Sequence, residues 1–195
     1  MSNVTEYPVV AAGEVDASRS LPGLGSLCAK MAVAHTITYM LMGIIAMTLL
    51  DYRQAFLSPT MICWVRNLDD PLVKAGVLFQ PLRGVLFALA FYPVRGVIFG
   101  KKHGWMVMWW LLVALGILGT FGPAPGSFEG MIFTRIPRQY LGYMEVVPQA
   151  LLMSAIVGYW VKNAEKKWLN WTLGVLFVIT MLLPILGFLA PARQG

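Results

Sequence analysis

Residues 31–50 read MAVAHTITYMLMGIIAMTLL, and no charged side chain interrupts the run between Lys30 and Asp51. A helix needs about 20 predominantly apolar residues to cross the core of a bilayer, and this run meets that requirement. The whole chain of 195 residues has the same character, with 58% hydrophobic and 12% charged residues and a mean hydropathy of +0.68. Ordinary soluble domains carry about 25% charged residues. We therefore predict a multi-pass integral membrane protein.

Further apolar runs along the chain predict a bundle of helices. Five segments have the length and apolarity of membrane spans: residues 31–50, 75–100, 104–122, 139–161 and 168–190. None alternates as the strands of a membrane barrel do, and an isolated span satisfies its backbone as a helix. The predicted fold class is all-α, a polytopic membrane helix bundle of five transmembrane helices. Residues 1–29 are expected to form a polar cytoplasmic N-terminal tail, and residues 30–195 the transmembrane domain.

The loop between the first two spans, residues 51–74, is long enough to contain a further element. Ser58 followed by Pro59 is typical of a helix N-cap with proline at the first position. A short apolar face follows, formed by Met61, Ile62, Trp64, Val65 and Leu68. This pattern predicts an interfacial or re-entrant helix on the outer surface. The alternative is an ordinary loop that dips into the headgroup region.

The basic residues predict an orientation in the membrane. The short connections around residues 101–102 and 162–167 are rich in lysine, and such loops tend to lie in the cytoplasm. We therefore expect a cytoplasmic N-terminus and an outer C-terminus, in a bacterial inner membrane. The net charge of +6 lies at the ends of apolar runs. It does not form the basic stripe with interleaved aromatics of a nucleic-acid site, so nucleic acid is not an expected partner.

Two charged residues lie inside predicted spans. At 1.5 Å per residue, Arg83 lies about 12 Å from the start of its span at residue 75, and Glu145 about 9 Å from residue 139. These two spans run in the same direction, so the two side chains are expected at similar depths. A charge at the bilayer centre costs at least about 2.5–3.5 kcal/mol. We therefore expect the guanidinium and the carboxylate to pair across adjoining helices.

Polar neighbours extend this pair into a cluster. Gln80 precedes Arg83 by one helical turn, and Gln149 follows Glu145 by one turn, so each amide shares the face of a charge. Because intramembrane ionisable groups tend to be functional, Arg83, Glu145, Gln80 and Gln149 form the candidate ligand-binding site. The alternative is a structural pair that locks two helices together.

Prolines in the same two spans add backbone acceptors to the predicted cluster. A proline inside a helix leaves the carbonyl four residues earlier without its usual donor. Pro81 is expected to free the carbonyl of Val77, and Pro148 that of Met144. Interrupted helices with polar groups at mid-depth often mark a solute or ion site.

Four further residues form secondary candidates. His35 is expected about 7 Å inside the cytoplasmic edge of the first span, with Tyr39 one turn further on the same face. A hydrogen bond to a neighbouring helix is the simpler interpretation of this histidine. Arg135 and Arg138 lie in the outer loop after the third span, where they form with Glu129 a small charged rim that could draw an anionic molecule. Solvated loop charges are the simpler interpretation of this rim.

The sequence contains no recognisable catalytic or metal-binding pattern. We find no nucleophile beside a base and neither the HExxH nor the CxxC motif, so no metal, cofactor or catalytic residue is predicted. The first functional hypothesis is binding or translocation of a small solute, lipid or ion at the polar cluster. The alternative is a non-catalytic accessory or structural subunit of a larger membrane complex, and a lipid-modifying enzyme ranks third. The bilayer, further copies of the chain and other membrane subunits are the expected partners.

Overall fold

The computed structural model describes residues 21–59, 61–63, 65–136 and 140–189, which form helices and connecting turns with no strand among them. The α-helices are α1 Leu24–Leu49, α2 Tyr52–Phe56, α3 Pro71–Lys74, α4 Gln80–Phe91, α5 Arg95–Phe99, α6 Gly104–Val113, α7 Phe128–Phe133, α8 Leu141–Lys162 and α9 Lys167–Leu189. A 3₁₀ segment, Ala75–Phe79, joins α3 to α4. A π-helical turn, Ala114–Leu118, extends α6.

Four helical segments are long and apolar enough to cross a membrane: Leu24–Leu49, Pro71–Phe91, Gly142–Lys162 and Lys167–Leu186. The predicted all-helical, multi-pass membrane architecture is therefore confirmed in outline. The segment predicted as a span over residues 104–122 contains a shorter apolar helix, Gly104–Leu118. It is about 22 Å long at 1.5 Å per residue, less than the ~30 Å core. A fifth span is thus not confirmed by helix length.

The first helix begins at Leu24, inside the segment predicted as a polar tail. Leu27 is fully buried. The Lys30 ammonium donates to the Ser26 hydroxyl at 2.6 Å and lies over the Trp160 ring. A charged residue therefore did not end the helix, because its stem and ammonium group both find partners. Residues 1–20 of the predicted tail lie outside the described residues.

The second predicted span, residues 75–100, is not one helix. Helix α4 ends at Phe91, shortly before Pro93. Proline ends the helix because it has no amide hydrogen and disfavours helical geometry in the residue before it. The Arg95 guanidinium donates to the Tyr92 carbonyl at 3.0 Å and lies 4.0 Å from the centroid of the Tyr92 ring. The predicted free carbonyl of Val77 is also wrong, because the Gln80 amide donates to it at the end of the 3₁₀ segment.

The predicted interfacial or re-entrant helix after Ser58 is not confirmed. The Ser58 hydroxyl donates to the Ala55 carbonyl at 2.7 Å instead of capping a following helix. The described residues from Ser58 to Val65 form turns, and Trp64 lies outside the description. A short helix, α2, lies earlier in this loop, and α3 begins later, where the Leu72 amide donates to the Asp70 carboxylate at 2.8 Å.

Helix α1 lies at the centre of the bundle and packs against α4, α8 and α9. Its contact with α4 is a close backbone approach at Gly84. A Cβ atom at this position would lie 2.5 Å from the Ala32 Cα atom. Small residues allow membrane helices to approach in this way. This contact fixes the part of α4 that carries the neighbouring Arg83.

Helix α6 runs antiparallel to α8. At one end, the Lys162 ammonium donates to the Lys102 carbonyl at 2.7 Å, so the end of α8 lies beside the start of α6. At the other end, the Tyr143 hydroxyl near the start of α8 donates to the Gly126 carbonyl in the segment after α6. Pro148 lies inside α8, which continues through it. Helix α6 and the segment after it therefore extend along most of α8.

Candidate intramembrane binding site

A cavity of about 320 Å³ lies between α1, α4, the π-helical extension of α6, and α8. We call it the central cavity. Its polar wall consists of His35, Tyr39, Arg83, Thr120, Tyr143, Glu145 and Gln149. Its apolar wall includes Phe87, Leu112, Ile117, Val146, Ala150 and Met153. This volume suits a small molecule, and a few polar groups on an otherwise apolar wall are typical of ligand sites.

The structure brings together most of the residues that the sequence singled out. Arg83, Glu145, Gln149, His35 and Tyr39 all line the central cavity. Gln80 does not line it but contacts His35. Arg135 is exposed and does not line the cavity, and Arg138 lies outside the described residues. The predicted rim of Arg135 and Arg138 is therefore not part of the cavity wall that the described residues form.

Arg83 and Glu145 do not form the direct ion pair that their predicted depths suggested. Arg83 lies about three turns from Pro71, where its span starts, whereas Glu145 lies about one turn from Gly142, where its span starts. The sequence misplaced the starts of both helices, so the arithmetic that suggested a direct pair does not hold. Within the described residues, the Arg83 guanidinium makes no hydrogen bond or ion pair, and it lies 5.5 Å from the Phe87 ring centroid.

Glu145 is instead held by a tyrosine from another part of the chain. The Tyr52 hydroxyl in α2 donates to Oε2 of Glu145 at 2.5 Å. Burial, followed by this hydrogen bond to a carboxylate, raises the pKa of Tyr52 above its usual value, so the phenol remains a donor. The sequence did not predict this bond, since nothing local links two residues so far apart in the chain.

His35 is held in a defined orientation by Gln80. The Gln80 side-chain nitrogen donates to the Gly76 carbonyl at 2.9 Å. Because a carbonyl only accepts, the amide must present its nitrogen to Gly76 and its oxygen to His35. That oxygen lies 3.0 Å from His35 Nε2, which must therefore carry a hydrogen. As a neutral imidazole, His35 then has its second nitrogen, Nδ1, as a free acceptor.

Two buried polar atoms on the cavity residues lack a partner. His35 is only 3% exposed, and its Nδ1 has no hydrogen-bond partner in the described part of the chain. The same holds for the Thr120 hydroxyl. Buried polar groups are usually paired, so unpaired ones often mark a functional site. Thr120 lies inside the predicted span 104–122. It was missed because a threonine in a helix can satisfy its hydroxyl on its own backbone and so does not stand out as a charge does.

The prediction that placed His35 apart from Gln80 was wrong, because the two side chains are in contact. Because α1 starts at Leu24, His35 lies about 16 Å along the helix. It packs edge-on against the Phe87 ring, with 5.1 Å between ring centroids. The sequence had therefore separated this histidine from Gln80, although the two side chains belong to one cluster.

Metal binding has no support from the described residues, among which no group of three or more His, Cys, Asp or Glu side chains lies together. Comparison with protein-family models, curated proteins and solved structures finds no match for this chain. The chemistry of the central cavity therefore rests on its own side chains. These offer one guanidinium, one carboxylate, an amide and several hydroxyl groups.

Proposed function

We propose that this multi-pass membrane protein binds a small charged or polar molecule in the central cavity, either a solute or a lipid head group. One observation carries the proposal: Arg83 and Glu145 line the same cavity without pairing with each other. A charge inside a membrane is costly unless it is compensated. A bound molecule of suitable charge would supply that compensation.

A purely structural role for the two charges has less support. A lock between two helices gains its energy from direct, well-oriented pairing. Here the Glu145 carboxylate accepts from Tyr52. The Arg83 guanidinium forms no hydrogen bond or ion pair within the described residues and lies 5.5 Å from the Phe87 ring centroid of its own helix. The arrangement leaves the donors of Arg83 available to a guest molecule.

The proposal is tested by equilibrium binding of three radiolabelled probes to the full chain in nanodiscs of phosphatidylglycerol. The probes are norleucine, hexanoate and pentylamine, which share a short alkyl chain and differ in charge. At least one probe should bind, and its affinity should fall at least tenfold in Arg83→Gln or Glu145→Gln. Matched controls are Arg135→Gln and Glu165→Gln, which remove exposed charges outside the cavity. If no bound probe depends on either cavity charge, the proposal is wrong.

The accessory-subunit hypothesis makes a different prediction for the same variants. If the two charges serve only assembly, Arg83→Gln and Glu145→Gln should lower the melting temperature and the recovery of larger complexes after mild solubilisation, with no probe bound by the wild type. Melting curves recorded beside the binding data separate these two functions.

We also propose that Gly104–Leu118 and the segment after it complete a fifth membrane crossing. The antiparallel contacts between Lys102 and Lys162 and between Gly126 and Tyr143 support it. Five crossings would place the lysine-rich connections at one membrane face, and the distribution of lysine favours the cytoplasm for that face. The N-terminus would then be cytoplasmic, the C-terminus outside, and the location a bacterial inner membrane.

A further inference from the structure

We propose that the ligand of the central cavity is a zwitterion, a molecule that carries one anionic group and one primary ammonium group on an apolar frame. This inference rests on the proposed function, since it names the chemical class that the same cavity would take. It follows from the signs, partners and positions of the two charged side chains.

The anionic pole of the ligand would bind Arg83. A guanidinium presents five N–H donors in a planar fork that matches the oxygens of a carboxylate or a phosphate. In the described part of the chain none of these donors is engaged in a hydrogen bond, and the guanidinium lies 5.5 Å from the centroid of the Phe87 ring. Two parallel N–H···O bonds to an anion are therefore available.

The cationic pole would bind Glu145. The Tyr52 hydroxyl occupies Oε2 at 2.5 Å, which holds the carboxylate in place. A carboxylate accepts several hydrogen bonds, so its other oxygen remains available for an ammonium group. Free acceptors on neighbouring cavity residues, such as Nδ1 of His35, suit a ligand that brings N–H donors.

A ligand with a single charge fits this wall poorly. An anion bound to Arg83 alone would share a cavity of low dielectric constant with the Glu145 carboxylate, and a cation bound to Glu145 would share it with the guanidinium. A zwitterion satisfies both side chains and adds no net charge to the membrane interior. The two side chains are more than the ~4 Å of an ion pair apart, and both line the same cavity of about 320 Å³.

Two sources offer this chemistry. One is a free solute of the amino-acid type, with a carboxylate and an ammonium group on one carbon. The other is the head group of phosphatidylethanolamine, with a phosphate and an ammonium group. The apolar remainder of the cavity wall, including Leu112 and Met153, accommodates the hydrocarbon part of either.

The same three probes test the inference, because their relative affinities depend on the charges that each one carries. Norleucine carries both charges, hexanoate only the anion and pentylamine only the cation. Norleucine should bind at least tenfold more tightly than either analogue. Glu145→Gln should weaken norleucine at least tenfold but leave hexanoate unweakened, because the repelling carboxylate is gone. Arg83→Gln should weaken norleucine equally and leave pentylamine unweakened, while Arg135→Gln and Glu165→Gln change nothing.

The outcomes separate the inference from the proposed function. If hexanoate or pentylamine binds as tightly as norleucine through Arg83 or Glu145, the cavity is a binding site but the zwitterion inference is overturned. If no probe depends on either charge, both are overturned. Doping the nanodiscs with phosphatidylethanolamine identifies the source. Displacement of norleucine by this lipid supports the head group, and undisturbed norleucine binding supports the free solute.

Discussion

The imidazole of His35 shows how one amide can define the chemistry of a buried residue. Gln80 donates to the Gly76 carbonyl and accepts from His35, so both of its polar ends are used. These two hydrogen bonds determine the tautomer of the imidazole without any charged partner. The amide that the sequence assigned to ligand binding is thus a positioning residue.

We expect Gln80→Leu to destabilise the protein. The change leaves the buried Nε2–H of His35 without an acceptor, which costs about 1–3 kcal/mol. Chemical unfolding in detergent measures this loss. Gln54→Leu, at an exposed glutamine of α2, is the matched control and should have little effect. Equal stability of the two variants would contradict the assigned hydrogen bonds.

We expect the Tyr52–Glu145 bond to make stability depend on alkaline pH. The pKa of Tyr52 is raised in the folded protein, so its contribution is fully present below the unfolded pKa of about 10. It is lost as the pH rises above that value towards the folded pKa. Tyr52→Phe should therefore be less stable than the wild type at neutral pH, and this difference should shrink above about pH 10.

Melting temperatures between neutral pH and about pH 11.5 check this expectation. Tyr140→Phe is the control, because Tyr140 is exposed. Its melting curve should follow that of the wild type at every pH. A Tyr52→Phe variant that tracks the wild type equally well would show that the bond contributes nothing.

The sequence predicted which polar residues line the cavity better than it predicted how they interact. Arg83, Glu145, Gln149 and His35 could be found because a polar group in an apolar run is costly and therefore conspicuous. The partner of Glu145 could not be found, because Tyr52 lies outside the apolar runs, and contacts between distant parts of the chain leave no local pattern.

At the scale of helices, the interruptions of the second predicted span affect the polar cluster as much as its helical parts do. Apolar composition predicted the second span as continuous over residues 75–100, since hydropathy does not register backbone geometry. The structure divides it into a 3₁₀ segment, α4 and α5. The 3₁₀ segment brings the Gly76 carbonyl within reach of the Gln80 side chain. The irregular backbone thus orients the polar cluster, as broken helices do elsewhere in membranes.

We expect Gly84→Ala to separate α1 from α4. The added Cβ atom would lie 2.5 Å from Ala32 Cα and 2.7 Å from the Met31 carbonyl oxygen, which are backbone atoms that cannot move aside alone. Such overpacking costs about 1–3 kcal/mol. Unfolding measurements should show this loss. The control is Gly96→Ala, where the structure leaves space for the new methyl group and stability should be kept or slightly raised. Similar results for both variants would contradict the close packing.

At the scale of the whole molecule, the all-helical, multi-pass class was predicted correctly, whereas the fifth predicted span is not confirmed. Four spans follow from length and hydropathy alone, because burial in lipid demands both. The course of α6 does not follow from length and hydropathy, since a short apolar helix can cross the membrane, lie flat on its surface or turn back within it. Only its contacts with α8 indicate a direction.

We expect a membrane-impermeant maleimide to distinguish five crossings from four. In a Cys28→Ser background, the native Cys63, which is exposed, reports one membrane face. Lys102→Cys and Glu165→Cys report the connections before α6 and after α8. Five crossings place these two on the same face, opposite Cys63. Labelling of Glu165→Cys from the face that labels Cys63 would show that α6 does not cross.

The bond between Tyr52 and Glu145 joins an early part of the chain to a late one. A ribosome delivers α1, α2 and α4 to the membrane well before α8, so Arg83 enters the lipid while the carboxylate has yet to be synthesised. Until α8 arrives, the Tyr52 hydroxyl has no Glu145 carboxylate to donate to. The wall that α8 contributes is therefore the last part of the cavity to be added during synthesis.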